Sequence, residues 1–397
     1  MLARTLKGAF TAAEEPVGAG FEEHNRMVER LWRDFRENKH ERVPVLWSMN
    51  DRMIVLHAKR NLRGFTYHQV YSDPEAMLQV QLEFERWRRL NVWADWEMGL
   101  PREWSVSVCF HNVYESAWLG APLYFPSNSV PDVRPFLMSE SDVRSFIARG
   151  TPDPFSGFMA RVRRFYEYFL EKKESGFTHL DRPIGQVGAP IGTDGPFTVA
   201  YNITGGFVLK LLYRNRRLAE EFLWFLAEAI IERMKAWHRL LKVQFPYEGF
   251  GFADDAIQNL SPGMYREVVL PLHREIVRTF CAGRPSIHLC GSVMHLLRVL
   301  KEELNIAAID TGFPIDLGKA REVLGDDVLI RGGVRVVTLE HGPLEKIEEE
   351  VRAVLSSGVV KGRRFIFGEA NNVTPGTPEQ HLNYTYELVR RHGRFEE

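Results

Sequence analysis

The chain has 397 residues, enough for one large barrel or two ordinary domains, and its 45% hydrophobic content suits a sizeable core. Lysine plus arginine (51) nearly balance aspartate plus glutamate (52), which argues against nucleic acid or an anionic membrane as the main partner. Three cysteines, Cys109, Cys281 and Cys290, are too few for a disulfide framework. With no apolar leader at Met1–Lys7 and no apolar run near the ~20 residues of a membrane span, the expected setting is a reducing cytoplasm.

Residues 1–20, rich in Ala, Gly, Glu and Pro, read as a flexible arm, and residues 21–397 as one domain. Met27, Leu31 and Phe35 recur every four residues, which predicts a helix from Phe21 to Asn38. Val43–Trp47 reads as a short strand. Asp73 before Pro74 is a helix cap, because its side chain accepts from the first turn and proline is tolerated there. Residues 91–140 are irregular, with strand character near 104–110.

From there the pattern becomes regular. Helical stretches at 154–173, 216–243, 262–280, 292–304, 316–323, 341–356 and 377–392 alternate with short apolar runs. Those runs begin near Ile184, Tyr247, Ser286, Ile306, Val328 and Arg364. This rhythm predicts parallel strands joined by crossover helices, an α/β fold. No glycine-rich phosphate turn follows an early strand, so a single (β/α)8 TIM barrel with an elaborated N-terminal helical portion is expected rather than a doubly wound sheet.

The richest stretch is His288-Leu289-Cys290-Gly291, at the end of one such run. Residues two apart on an extended segment share a side, so the imidazole and thiol can reach one metal ion. Gly195–Tyr201 comes earlier; Asp254 and Asp255, then Leu260–Glu267, lie between; Thr374–Glu379 follows the last run.

In order and spacing these motifs resemble the uroporphyrinogen decarboxylase superfamily, well over residues 180–392 and loosely before that. The superfamily holds the decarboxylase and the zinc-dependent, corrinoid-linked methyltransferases. The resemblance implies a (β/α)8 barrel. The decarboxylase signature Met-Arg-Gln-Ala-Gly-Arg-Tyr is missing: the corresponding segment, Val43–Arg52, holds one arginine, and Asp95 is the nearest match to the acidic residue used later. The resemblance therefore implies the methyltransferase branch, with zinc on His288 and Cys290. The resemblance implies a second, distant cysteine ligand where Asn371 stands; asparagine is a poor zinc ligand, so Glu369 is the expected third donor.

The remaining expectations are that Asp254 or Asp255 acts in catalysis and that Tyr201, Tyr247, Asp310, Arg331 and Asn371 contact substrate. Corrinoid or methylcobalamin would come from a partner protein, and a small methyl donor or thiol acceptor would be the substrate. Two alternatives stand: a metal-free decarboxylase using Arg52 and Arg331, and a non-catalytic corrinoid or tetrapyrrole binder. His111 and His273 read as ordinary packing or surface residues, and Cys281 lies at the wrong end of its strand.

Overall fold

The computed structural model describes residues 21–395; the arm expected at 1–20 lies outside them. Ten strands occur among these residues: β1 (Trp104–Ser107), β2 (Leu123–Tyr124), β3 (Asp132–Val133), β4 (Thr178–His179), β5 (Arg182–Gly188), β6 (Gly251–Ala253), β7 (Ser286–Leu289), β8 (Ala308–Thr311), β9 (Leu329–Arg335) and β10 (Phe365–Ala370). Strands β6 to β10 form one parallel sheet, each beside its neighbour in sequence, and β1 pairs in parallel with β5. The expected strand at 43–47 is reduced to a parallel bridge between Val45 and Phe367 of β10, backed by Leu46 N–H donating to the Phe367 carbonyl at 2.9 Å.

Eight segments run in parallel pairings: Val43–Trp47 beside β10, β1 beside β5, and β6 to β10 beside one another. Single backbone bonds also run from Asp95 N–H to the Val45 carbonyl (2.8 Å) and from Ala253 N–H of β6 to the Thr193 carbonyl beyond β5 (3.2 Å). The α/β class is as expected; a continuous ladder around a closed ring is not formed among the described residues.

The helices fall close to their expected places. Phe158–Glu174 packs on β5 and Leu344–Ser356 on β9; Glu379–His392 lies against Leu344–Ser356, and Arg216–Leu241 against Pro196–Thr204 and Leu270–Phe280. Asp73 caps Pro74–Asn91, accepting from Glu75 N–H at 3.0 Å. The 262–280 stretch is one helical run widened by a π-helical turn at Tyr265–Val269. Strand β10 is buried along its whole length, as a strand covered on both faces should be. Its Phe365 and Phe367, both fully buried, each contribute roughly 1.5–3 kcal/mol. No described helix is long and apolar enough to cross a membrane.

Candidate metal centre at the strand ends

Parallel strands put all their C-terminal ends on one rim. Across that rim the register aligns Ala253, His288, Asp310 and Arg331 in one row of β6 to β9. Row neighbours point the same way, so an imidazole, a carboxylate and a guanidinium meet there. His288 Nδ1 lies 3.2 Å from Asp310 Oδ2, and Arg331 Nη1 lies 3.8 Å from the same oxygen. Asp310 is a carboxylate acceptor, so Nδ1 of His288 carries a hydrogen and Nε2 is turned forward. There Nε2 sits 3.1 Å from Cys290 Sγ.

Asp255 completes the cluster. Its Oδ1 accepts the Cys290 N–H at 2.7 Å and lies 3.9 Å from His288 Nε2. Donor atoms of Asp255, His288 and Cys290 all fall within 4.8 Å of one another. Gly291 allows the turn that follows: its φ is +82°, and a Cβ there would sit 2.0 Å from Gln258 Oε1. Burial alone would lower the His288 pKa, but its bonds to Asp310 and Cys290 outweigh this and hold it at about 11. Burial raises the Asp255 carboxyl.

This donor set corrects the expected one. Glu369 stays out of it: 3% exposed, it accepts the Ser48 N–H with both oxygens at 3.1 Å. Burial pushes its pKa up to about 7. Asn371 does reach the cluster, with Oδ1 3.4 Å from Cys290 Sγ, but as a neutral neighbour. Arg331 stands in the row, with Nη2 also directed at the Leu46 carbonyl (3.4 Å).

Asp254 is fully buried and structural. It accepts Phe197 N–H (3.2 Å), Thr198 N–H (2.6 Å), the Thr198 hydroxyl (2.7 Å) and His273 Nε2–H (2.9 Å), closing the first turn of helix Pro196–Thr204. Gly195 makes this approach feasible, because a Cβ there would lie 2.4 Å from Asp254 Cγ. Tyr247 is likewise misassigned: it precedes β6, bridges Cys281 and donates to His238 Nε2 at 2.6 Å, so it lies at the opposite end of the strand from the rim. Tyr201 packs its ring against Gly206 beyond the end of its helix; no bond joins it to the cluster among the described residues. His273 and His111, expected to be ordinary, are hubs of buried networks. Asp194 was not foreseen; it follows β5 and has a buried Oδ2 with no partner. Only its place after an apolar run could have pointed to it.

The family model "Uroporphyrinogen decarboxylase (URO-D)" matches residues 105–392. A uroporphyrinogen decarboxylase from Rickettsia africae is 26% identical over 242 residues, 58% of this chain. The chain spans 65% of that relative's length. A methylated-thiol–coenzyme M methyltransferase from Methanosarcina mazei is 27% identical over 191 residues, 47% of this chain and 48% of the relative. Among solved structures, a methyltransferase from Methanosarcina mazei superposes with a TM-score of 0.63 at 17% identity, covering 91% of this chain and 97% of that one. With the family model extending over well more than half of its residues, and relatives in both branches, the chain belongs to the uroporphyrinogen decarboxylase family.

Proposed function

We propose that the protein is a zinc-assisted methyltransferase whose substrate is a small thiol or its methylated form. The observation that carries this is the convergence of Asp255, His288 and Cys290 within 4.8 Å. One nitrogen, one sulfur and one oxygen donor with a position left open is the pattern of a catalytic rather than a structural zinc site. Zinc bound there would lower the pKa of an incoming thiol. Asp310 would fix the His288 tautomer and ring, as partners of ligating histidines commonly do. The Asp255 carboxylate, bonded to the Cys290 N–H, would hold the Cys290 turn in place.

In the reaction the thiol loses its proton and its sulfur lone pair forms the new bond to the methyl carbon. The bond from that carbon to the carrier breaks, and its electron pair stays with the carrier. A corrinoid held by a partner protein is the proposed carrier, and the eight parallel segments are proposed to close as a (β/α)8 barrel around the site. The three free cysteines suit the reducing cytoplasm. A decarboxylase acting on a polycarboxylate fits less well, because Arg331 already faces Asp310 and the Leu46 carbonyl.

Incubating the zinc-loaded protein with methylcobalamin and a small thiol tests this. Methyl thioether should appear with loss of the methylcobalamin spectrum, and His288→Ala should abolish both. Release of carbon dioxide from a porphyrinogen, with no thioether from any thiol, would overturn the assignment.

A further inference from the structure

Three segments away from the metal donors enclose a cavity of about 460 Å³: the helix Tyr67–Ser72, the stretch from Ala117 to Phe125, and the start of the helix Phe158–Glu174. That volume is in the range that takes a small organic molecule. Neither Asp255, His288, Cys290 nor the strands beside them contribute to its lining.

The walls are aromatic. Tyr71 and Phe125 meet edge to face at 5.6 Å, His68 stands against Phe125 at 5.3 Å, and Phe158 adds another ring. The Tyr71 hydroxyl is engaged by His111 Nδ1 at 2.8 Å, so Tyr71 offers the cavity ring surface. Ala117 and Ala121 leave the space that larger side chains would fill. Rings pack against rings edge to face or offset, so such walls favour a flat aromatic guest.

The polar side is cationic. No acidic side chain lines the cavity among the described residues. Arg161 stands at its edge, exposed to solvent, with its guanidinium 5.3 Å over the Phe158 ring. Only one N–H of its fork is used, on the Tyr71 carbonyl at 3.4 Å. Arg164, one turn on, gives an N–H to the Ser72 carbonyl at 3.2 Å, while Glu167 pairs with Arg163 at 2.8 Å. The charge of Arg164 bears on Arg161, and no carboxylate offsets it. Capping the end of helix Tyr67–Ser72 accounts for one N–H of each arginine. It leaves most of the Arg161 fork free beside an acid-free aromatic cavity, and that fork matches a carboxylate.

We propose that this cavity binds an aromatic carboxylate, one ring on a short acid-bearing chain, with the ring among Tyr71, Phe125 and Phe158 and the carboxylate on Arg161. The site is separate from the metal centre and needs neither zinc nor a thiol.

Calorimetric titration with 3-phenylpropionate, its neutral counterpart 3-phenylpropan-1-ol, and inorganic phosphate tests this. One 3-phenylpropionate per chain should bind, with half-saturation at least about tenfold below that of the alcohol, as expected for a hydrogen bond to a charged group. Arg161→Gln should bring the acid to the level of the alcohol, and Ala117→Leu, which fills the cavity, should weaken both. Arg161 is exposed, so its variant decides the point even if Ala117→Leu fails to fold. No saturable binding of the acid overturns the inference, as does an alcohol that binds equally well. Phosphate that matches the acid overturns it too, because the site would then have no use for the ring. So does binding of the acid that Arg161→Gln leaves unchanged, which would place it elsewhere on the protein.

Discussion

Asp254→Ala separates a structural carboxylate from a functional one standing next to it. Removing Asp254 strands four donors that are buried or nearly so. Two of them can adapt: the Thr198 hydroxyl can rotate, and His273 can move its proton to Nδ1 and donate to Tyr265, now 3.0 Å away. The Phe197 and Thr198 N–H groups are fixed by the helix and cannot. Each unsatisfied donor costs about 1–3 kcal/mol, and losing the negative charge at a helix start adds up to ~1 kcal/mol, so the variant should lose about 4–5 kcal/mol. Urea unfolding should show a lower midpoint with an unchanged slope. Asp254→Asn, which keeps one acceptor, should lose about half as much. Asp255→Ala, with a carboxylate that caps only one N–H, should stay within about 2 kcal/mol of the unmodified protein yet lose the metal. An Asp254→Ala protein as stable as the parent, but without metal or turnover, would refute this division of labour.

Three further outcomes are expected. Glu115→Gln leaves the fully buried Arg233 guanidinium without its counter-ion and should destabilise by about 3–5 kcal/mol, seen as a lower thermal midpoint; no change would mean the pair is replaceable. Glu369 has its pKa raised from 4.5 to about 7, so its stabilisation is complete below pH 4.5 and is lost as pH rises through 7. Against Glu369→Gln, the parent should lose up to about 3 kcal/mol more between pH 4.5 and 8, and parallel pH curves would contradict the burial argument. Asp310→Asn should weaken zinc binding by roughly 10–100-fold without unfolding the protein, measured by competition with a chelator; unchanged affinity would remove Asp310 as the partner of His288.

The parts of the site that one strand specifies were legible in the sequence. His288 and Cys290 converge because alternation on an extended segment is a local rule. The third donor was not legible. Asp255 and Glu369 both end strands, and only three-dimensional packing shows that one faces the cysteine while the other turns back to Ser48. Asp254 and Asp255 are adjacent, so a single residue's rotation decides which is a helix cap and which is a donor. Tyr247 was misplaced for a different reason. The apolar run was read as strand from its first residue, whereas the continuous ladder begins at Gly251 and Tyr247 makes only an isolated bridge to Cys281, which leaves the tyrosine at the far end. His111 has no local signal, because its partners Asp51 and Tyr71 lie 60 and 40 residues away. The alternation of helices and strands was readable from hydrophobic periodicity. The first strand was not regular, because Val43–Trp47 pairs through a single bridge.

The most direct measurement is zinc per chain in four purified proteins: the parent, Cys290→Ser, Asp255→Asn and Glu369→Gln. About one zinc in the parent and in Glu369→Gln, with loss in the other two, is the predicted result. A parent that takes up no zinc, or an Asp255→Asn protein that keeps it while Glu369→Gln loses it, would contradict the site described.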